Sequence, residues 1–120
     1  MALILVVEDD EHIQVLAESI LQERGHETLS AGTAEQALAL IDGERKPDVL
    51  FIDIRLHDDI EAGLHLAQEA VKRVPSLRVL YTTGYGITDG IKALFVEPYV
   101  YIGKPYTAEQ LVMAVSNLTN

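Results

Sequence analysis

A chain of 120 residues in which 48% of residues are hydrophobic can bury a core of its own, so a net charge of −10 does not mark a disordered acidic tail. The excess of acids argues against nucleic-acid binding within this chain, and the absence of cysteine excludes disulfides and thiol chemistry. No stretch reaches the ~18 apolar residues of a membrane span, and MALILVV lacks the basic region and cleavage site of a signal peptide, which predicts a cytoplasmic protein.

The first half of the chain alternates short apolar runs with helical spacing. LILVV predicts a strand buried on both faces, and HETLSA predicts a second, shorter strand. Between them a helix begins at Glu11 and stops before Gly25, with apolar residues at Ile13, Leu16, Ala17, Ile20 and Leu21. TAEQALALID predicts a second helix that starts with a capping box of Thr33 and Gln36 and ends near Gly43.

The second half continues the alternation. DVLFI predicts the third strand, RVLYTT the fourth and YVYI the fifth. AGLHLAQEAVKRV predicts a third helix closed by Pro75, ITDGIKALFV a weaker fourth helix interrupted by Gly90, and TAEQLVMAVSNL a fifth with a Thr107–Gln110 capping box. Five strands and five helices in strict alternation predict one α/β domain, a flavodoxin-like doubly wound parallel sheet of order 2-1-3-4-5.

Acids stand at the ends of the two strands that flank the switch point of such a sheet, where ligands bind. Glu8, Asp9 and Asp10 follow the first strand, and Asp53 ends the third. Any one of them could be a helix cap, Asp10 above all. Together they would repel one another unless a cation compensates, and Mg²⁺ prefers such carboxylate oxygens together with a phosphate. The acids therefore predict a magnesium-dependent phosphoryl site.

The fourth and fifth strands end in different chemistry. Thr82 and Thr83 precede Gly84, so a hydroxyl could hydrogen-bond a phosphoryl oxygen, although a threonine that starts a turn would look the same. Lys104 ends the fifth strand and could supply a compact charge, or could be a solvated lysine beside a turn. Pro105 allows a cis peptide that would aim Lys104 inward.

Four segments, VVEDDE, DVLFIDIRL, LYTTGY and YIGKPYTAEQL, together resemble the response-regulator receiver domains of two-component signalling, over essentially residues 1–120. The resemblance implies a phosphoryl group passed from a sensor histidine kinase or histidine phosphotransfer protein to Asp53, and an unknown downstream protein as the output partner. It implies no enzyme activity beyond self-phosphorylation and dephosphorylation. By the same resemblance the sites are the metal ligands Glu8, Asp9, Asp53 and the Arg55 carbonyl, the catalytic Asp53, Thr83 and Lys104, and the switch residues Thr83 and Tyr101.

The loop after Asp53 departs from the family pattern, since His57 stands where a proline is usual and Gly63 is displaced by one residue.

Three functions compete with that of a phosphoacceptor receiver domain. The chain could be a receiver-like interaction module that works without phosphorylation. A phosphatase of the haloacid dehalogenase type would need a D-x-D motif after the first strand, which VVEDDE lacks. A flavodoxin would need a hydroxyl and glycine loop there, whereas this chain would present four acids to the flavin phosphate.

Overall fold

The computed structural model describes residues 1–119. Five parallel strands form one sheet in the order β2-β1-β3-β4-β5, which confirms the predicted doubly wound topology. The strands are β1 Leu3–Val7, β2 Glu27–Ala31, β3 Val49–Asp53, β4 Arg78–Thr83 and β5 Tyr99–Gly103. Both β1 and β3 are buried along their whole length, as continuous apolar runs in the centre of a parallel sheet require.

Helices cover both faces of this sheet. They are α1 Glu11–Glu23, α2 Ala34–Ile41, α3 Ile60–Arg73, α4 Asp89–Lys92 and α5 Ala108–Thr119. Residues of α1 and α5 form one apolar cluster with one face of the sheet. Residues of α2 and α3, together with Phe95, form the other. In the described part of the chain, no helix is both long and apolar enough to cross a membrane.

The helix starts largely follow the sequence signals. The Asp10 carboxylate caps α1 by accepting from the backbone N–H groups of His12 and Ile13. Thr107 and Gln110 form the reciprocal capping box before α5. The box at α2 is incomplete, because the Gln36 side chain accepts from the N–H of Gly32 rather than from Thr33.

Two predictions about helices were wrong, one about the length of α4 and one about the residues of α1 that face the core. Helix α4 spans four residues instead of the predicted ten, because the chain leaves it to bury Phe95, which stacks on Tyr81 with ring centroids 4.0 Å apart. The Val96 N–H then donates to the Tyr81 hydroxyl at 2.8 Å. On α1, the predicted core residue Leu16 is 61% exposed, because the helix turns Ala17 and Leu21 to the sheet instead.

Candidate functional site

The acids predicted to meet do meet at the carboxyl edge of the sheet. Strands β1 and β3 are paired in register up to Val7 and Ile52, so the next residues, Glu8 and Asp53, lie side by side. Glu8 is 5% exposed and Asp53 is 7% exposed. One carboxylate oxygen from each of Glu8, Asp9 and Asp53 lies within 4.8 Å of the others. Two buried acids at such a distance need a counter-charge.

Lys104 supplies that counter-charge from the end of β5. Its ammonium lies 2.6 Å from Glu8 Oε1 and 2.8 Å from Asp53 Oδ2, so one cation joins both carboxylates. The Lys104–Pro105 peptide is cis, as expected. Burial lowers the pKa of Lys104, but hydrogen bonds to Asp53 and Glu8 outweigh it and leave the pKa raised. Lys104, whose side chain is 18% exposed, is therefore a charged, partly buried part of the site rather than a solvated surface lysine.

The second oxygen of each buried acid is held by the backbone. Glu8 Oε2 accepts from the Asp10 N–H at 3.1 Å, and Asp53 Oδ1 accepts from the Arg55 N–H at 3.0 Å. Burial nevertheless dominates for Glu8 and raises its pKa, against the lowering by Lys104 and the Asp10 N–H. The carboxylates of Glu8 and Asp53 are thus fixed in orientation by one cation and two N–H groups.

Asp9 lies at the rim of the site and is tied to the unusual loop after β3. The His57 N–H donates to Asp9 Oδ2 at 3.1 Å, and His57 Nε2 lies 3.2 Å from the carbonyl of Gly32. His57 has φ +50°, a conformation closed to the proline usual at this position. Partial burial raises the pKa of Asp9, but hydrogen bonds with the Glu8 side chain and the His57 N–H outweigh it, so the pKa is lowered.

Gly63 sets how closely α3 approaches the same loop. A Cβ built on Gly63 would lie 2.1 Å from the carbonyl oxygen of Ile54, the residue that follows Asp53. Only glycine permits this contact between a helix and the end of β3. The glycine that seemed displaced in the sequence is therefore at a position where the structure needs one.

Two hydroxyls end β4, and they differ. Thr83 is 5% exposed, lines the acidic pocket, and its Oγ1 accepts from the Tyr85 N–H at 3.3 Å, which leaves its own proton free to donate. Thr82, the register partner of Asp53, is 2% exposed, and its hydroxyl oxygen has no hydrogen-bond partner within residues 1–119. Thr83 is placed to act on a ligand, whereas Thr82 is an unsatisfied group in the protein interior.

Tyr101 lies outside the pocket itself. It is half-buried on β5, and its ring centroid is 6.4 Å from that of Phe95. A Cβ built on Gly103 would lie 3.5 Å from the Tyr101 hydroxyl, and Gly103 is the register partner of Thr83. The tyrosine therefore extends along β5 between Phe95 and the strand end that carries Thr83.

Sequence reasoning missed one feature of the rim, the pairing of two side chains from different loops. The guanidinium carbon of Arg55 lies 4.1 Å from the ring centroid of Tyr85. Both residues line an open cavity of about 330 Å³ that also contains Glu8, Asp9, Asp53, Thr83 and Lys104. The one signal in the sequence was the position of each residue, two beyond a predicted site residue, Asp53 or Thr83.

This donor set fits a hard divalent cation. The oxygens of Glu8, Asp9 and Asp53 converge from two strand ends, and Mg²⁺ takes oxygen ligands of this kind. The same cavity suits a phosphoryl group, because the Lys104 ammonium and the buried Thr83 hydroxyl line it. The arrangement can hold a cation and an anionic ligand together.

Comparison with known proteins agrees with this geometry. Residues 4–116 match the model of the response regulator receiver domain. The nitrogen assimilation regulatory protein NtrX of Azorhizobium caulinodans is 33% identical over 111 residues, which is 92% of this chain and 24% of that protein. Sporulation initiation phosphotransferase F of Bacillus subtilis is 26% identical over 113 residues, or 93% and 89% of the two chains. The chain thus spans about a quarter of the length of NtrX but most of the second relative.

Solved structures show the same likeness in three dimensions. The receiver domain of NtrX from Brucella abortus has a TM-score of 0.83 and 34% identity, with 96% of both chains covered. A CheY-like receiver domain protein from Methanospirillum hungatei has a TM-score of 0.85 and 28% identity, with 98% of this chain and 92% of that one covered. The chain belongs to the response regulator receiver domain family of two-component systems.

Proposed function

We propose that this chain is a phosphoacceptor that takes a phosphoryl group onto Asp53 from a phosphohistidine of a sensor histidine kinase or histidine phosphotransfer protein. The observation that carries the proposal is the Asp53 carboxylate, buried at a strand end and held by the Lys104 ammonium and the Arg55 N–H beside two further acids. A carboxylate held so firmly is oriented as a nucleophile, and carboxylates form acyl phosphates directly.

In the transfer, an oxygen of Asp53 forms a bond to phosphorus while the phosphorus–nitrogen bond of the donor breaks. The electron pair of the broken bond stays on the imidazole nitrogen, and nothing is oxidised or reduced. Lys104 neutralises charge on the phosphoryl oxygens, and the Thr83 hydroxyl donates a hydrogen bond to one of them. These groups already line the pocket, so the chain contributes mainly position and charge.

Glu8, Asp9, Asp53 and the backbone carbonyl of Arg55 would hold Mg²⁺ in this site. When bound, the ion neutralises the charge of the acids and of the phosphoryl oxygens. Removing Asp9 should leave folding intact, because its side chain is at the rim, but should abolish the rise in melting temperature caused by Mg²⁺. Asp89→Asn, a change at an exposed acid of α4, is the matched control. An unchanged rise in Asp9→Ala would place the ion elsewhere.

Intact-mass measurement after acetyl phosphate treatment, with and without Mg²⁺, tests the acceptor. We expect one added phosphoryl group in the wild type and in Asp89→Asn, and none in Asp53→Asn. Undiminished labelling of Asp53→Asn would contradict the assignment. No Mg²⁺-dependent labelling of the wild type would favour the alternative, an interaction module that works without phosphorylation.

The output surface we propose is the α4 segment, residues 84–98, together with β5. Thr83 drawn toward a phosphoryl group would free the Tyr85 N–H and alter the space beside Tyr101, which biases this region toward a second arrangement that a downstream protein binds. Beryllofluoride with Mg²⁺ should therefore slow hydrogen exchange mainly between Gly84 and Tyr101, and the effect should vanish in Thr83→Ala. Uniform protection would argue against this coupling.

A further inference from the structure

Thr82 carries a buried hydroxyl next to the acceptor carboxylate, and this hydroxyl is unused in the described chain. Thr82 on β4 is the register partner of Asp53 on β3, and the two side chains line one narrow cavity against α1. The residue is 2% exposed, and its Oγ1 has no hydrogen-bond partner within residues 1–119. A polar group at such a place needs an explanation beyond packing.

An unpaired buried hydroxyl is unfavourable, because it has lost its hydrogen bonds to water and gained none in the protein. The cavity beside Thr82 is too narrow to admit a water molecule that could replace them. The other side chains on its wall are apolar except for the carboxylates of Glu8 and Asp53 and the ring of Tyr106. Of these, a carboxylate is the stronger acceptor. One of the two acids is therefore the partner that Thr82 would gain if the site rearranged.

Contacts with other donors explain why neither carboxylate bonds to Thr82 in this structure. The Asp53 oxygens lie 2.8 Å from the Lys104 ammonium and 3.0 Å from the Arg55 backbone nitrogen. Lys104 also lies 2.6 Å from Glu8 Oε1, so one ammonium sets the orientation of both acids. Asp53 is the nearer acid to Thr82, because it is the direct neighbour across β3 and β4, whereas Glu8 follows β1, one strand further away.

A phosphoryl group on Asp53 would change these contacts. Its anionic oxygens attract the Lys104 ammonium, so Asp53 loses one of the two donors that fix its orientation. The Asp53 oxygen that does not bind phosphorus becomes a carbonyl oxygen, which still accepts hydrogen bonds. Thr82, on the adjacent strand, is a donor without another partner in the described chain. The released side chain of Asp53 and the unpaired hydroxyl of Thr82 then complement each other.

We propose that Thr82 is a positioning residue, whose hydroxyl donates a hydrogen bond to the carbonyl oxygen of the Asp53 acyl phosphate after Lys104 turns to the phosphoryl oxygens. This inference rests on the proposed function of Asp53. Thr82 keeps its proton, no covalent bond changes, and the hydroxyl acts only through the side chain of Asp53. Because the hydroxyl is unpaired in the resting site and paired in the phosphorylated one, it shifts the equilibrium toward the phosphorylated arrangement.

The test compares Thr82→Val, which removes the hydroxyl and keeps the shape, with Thr82→Ser, which keeps the hydroxyl. In calorimetric titration with beryllofluoride and Mg²⁺, the affinity of Thr82→Val should fall about tenfold, and that of Thr82→Ser should stay within about twofold of the wild type. Without these ligands Thr82→Val should melt about 4 °C higher than the wild type, and the gain should disappear when both are bound. Infrared spectra after labelling with phosphoramidate, a donor without a carbonyl group, should show the acyl phosphate carbonyl of Thr82→Val at higher wavenumber, because a hydrogen bond lowers that frequency.

The outcomes separate this inference from the proposed function. If Asp53 is labelled normally and Thr82→Val matches the wild type in beryllofluoride affinity and in its infrared band, the role of Thr82 is overturned and the acceptor stands. An equal melting gain with and without the ligands, or an equal loss of affinity in Thr82→Ser, would reduce the effect to packing and overturn it as well. Absence of both labelling and beryllofluoride binding in the wild type would overturn both proposals.

Discussion

The floor of the acidic pocket, formed by Glu8, Asp53 and Lys104, and the α4 segment, residues 84–98, are neighbours held by different forces. The floor is fixed by strand register and by contacts of 2.6 and 2.8 Å to one partly buried ammonium, that of Lys104. The α4 segment has a one-turn helix without a buried residue, and its burial depends on Phe95. Stacking of Phe95 on Tyr81 and the bond from the Val96 N–H to the Tyr81 hydroxyl fasten it to the sheet.

Under the proposed function, this difference corresponds to two tasks, holding the phosphoryl group in the floor and rearranging the α4 segment. In the floor, loss of one charge leaves the opposite charge buried without a partner, which is costly, so the charged groups must stay together. In the α4 segment Phe95 is the only fully buried side chain among the described residues, and Ile87, Ile91 and Val96 are only partly buried against the core. This places the segment toward the low end of local stability. A rigid site next to a weakly held segment is what a switch requires, because a local event can then shift the segment without dismantling the site.

The largest expected effect comes from removing the charge that joins the floor. Lys104→Met should lower the free energy of unfolding by about 3 kcal/mol, the lower end for a broken buried ion pair, because Lys104 is partly exposed. Urea unfolding measures this change. Adding Glu8→Gln to Lys104→Met should restore part of the loss, because one of the two unpaired buried carboxylates is then removed. A loss below about 1 kcal/mol, the value for a surface pair, would show that the floor does not depend on Lys104.

The same variant tests the pH dependence of the floor. The pKa of Lys104 is raised above its ordinary 10.5, so the folded protein holds this proton more tightly than the unfolded chain does. The stabilisation from Lys104 is therefore complete below pH 10.5 and is lost as the pH rises through the folded pKa. Above neutral pH, the difference in stability between the wild type and Lys104→Met should shrink only in that alkaline range. At acidic pH it should shrink as well, because Glu8, whose pKa is raised, takes up a proton and the ion pair is lost. A difference that declined already at neutral pH would contradict this assignment.

Gly63→Ala should have the next largest effect, because it forces α3 away from the floor. The new Cβ would meet the Ile54 carbonyl oxygen at 2.1 Å, and a backbone atom cannot rotate aside. We expect the free energy of unfolding, measured with urea, to fall by roughly 2 kcal/mol, after the better helix propensity of alanine is counted. Labelling of Asp53 should also fall, since Ile54 follows it in the chain. Wild-type stability would mean that the close approach of α3 is not required.

The floor and the position of Asp9 were predictable from sequence, whereas the side-chain contacts at the rim were not, for a physical reason. Parallel strands end at one edge of a sheet, so the ends of apolar runs placed Glu8, Asp53 and Lys104 together. The positive φ of His57 and the contact of Arg55 with Tyr85 depend on how separate loops meet, which periodicity does not encode. The length of α4 was overestimated because the apolar spacing continues through Phe95, although that side chain reaches the core from outside the helix.

A smaller effect of opposite sign is expected at the base of the site. Thr82→Val removes a buried hydroxyl that has no hydrogen-bond partner in the described chain. We therefore expect the free energy of unfolding, measured with urea, to rise by about 1 kcal/mol. The adjacent Thr83→Val is the matched contrast. It removes the acceptor of the Tyr85 N–H and should give no gain. If Thr82→Val destabilised the protein, its hydroxyl would have to be satisfied in solution, and the two threonines would be equivalent.

The smallest expected effect lies in the α4 segment and completes the contrast with Gly63. A Cβ on Gly90 would meet nothing closer than Thr88 Oγ1 at 3.7 Å, an ordinary contact, so alanine fits without strain. Gly90→Ala should stabilise the local helix by up to about 1 kcal/mol, because glycine is the weaker helix former. The segment can open without the rest of the protein, so the gain should appear as slower hydrogen exchange of the α4 amides, by up to about fivefold. Urea unfolding should then show little change. An equal gain in global stability would mean that the α4 segment unfolds together with the core, and the division between a rigid floor and a separately mobile segment would fail.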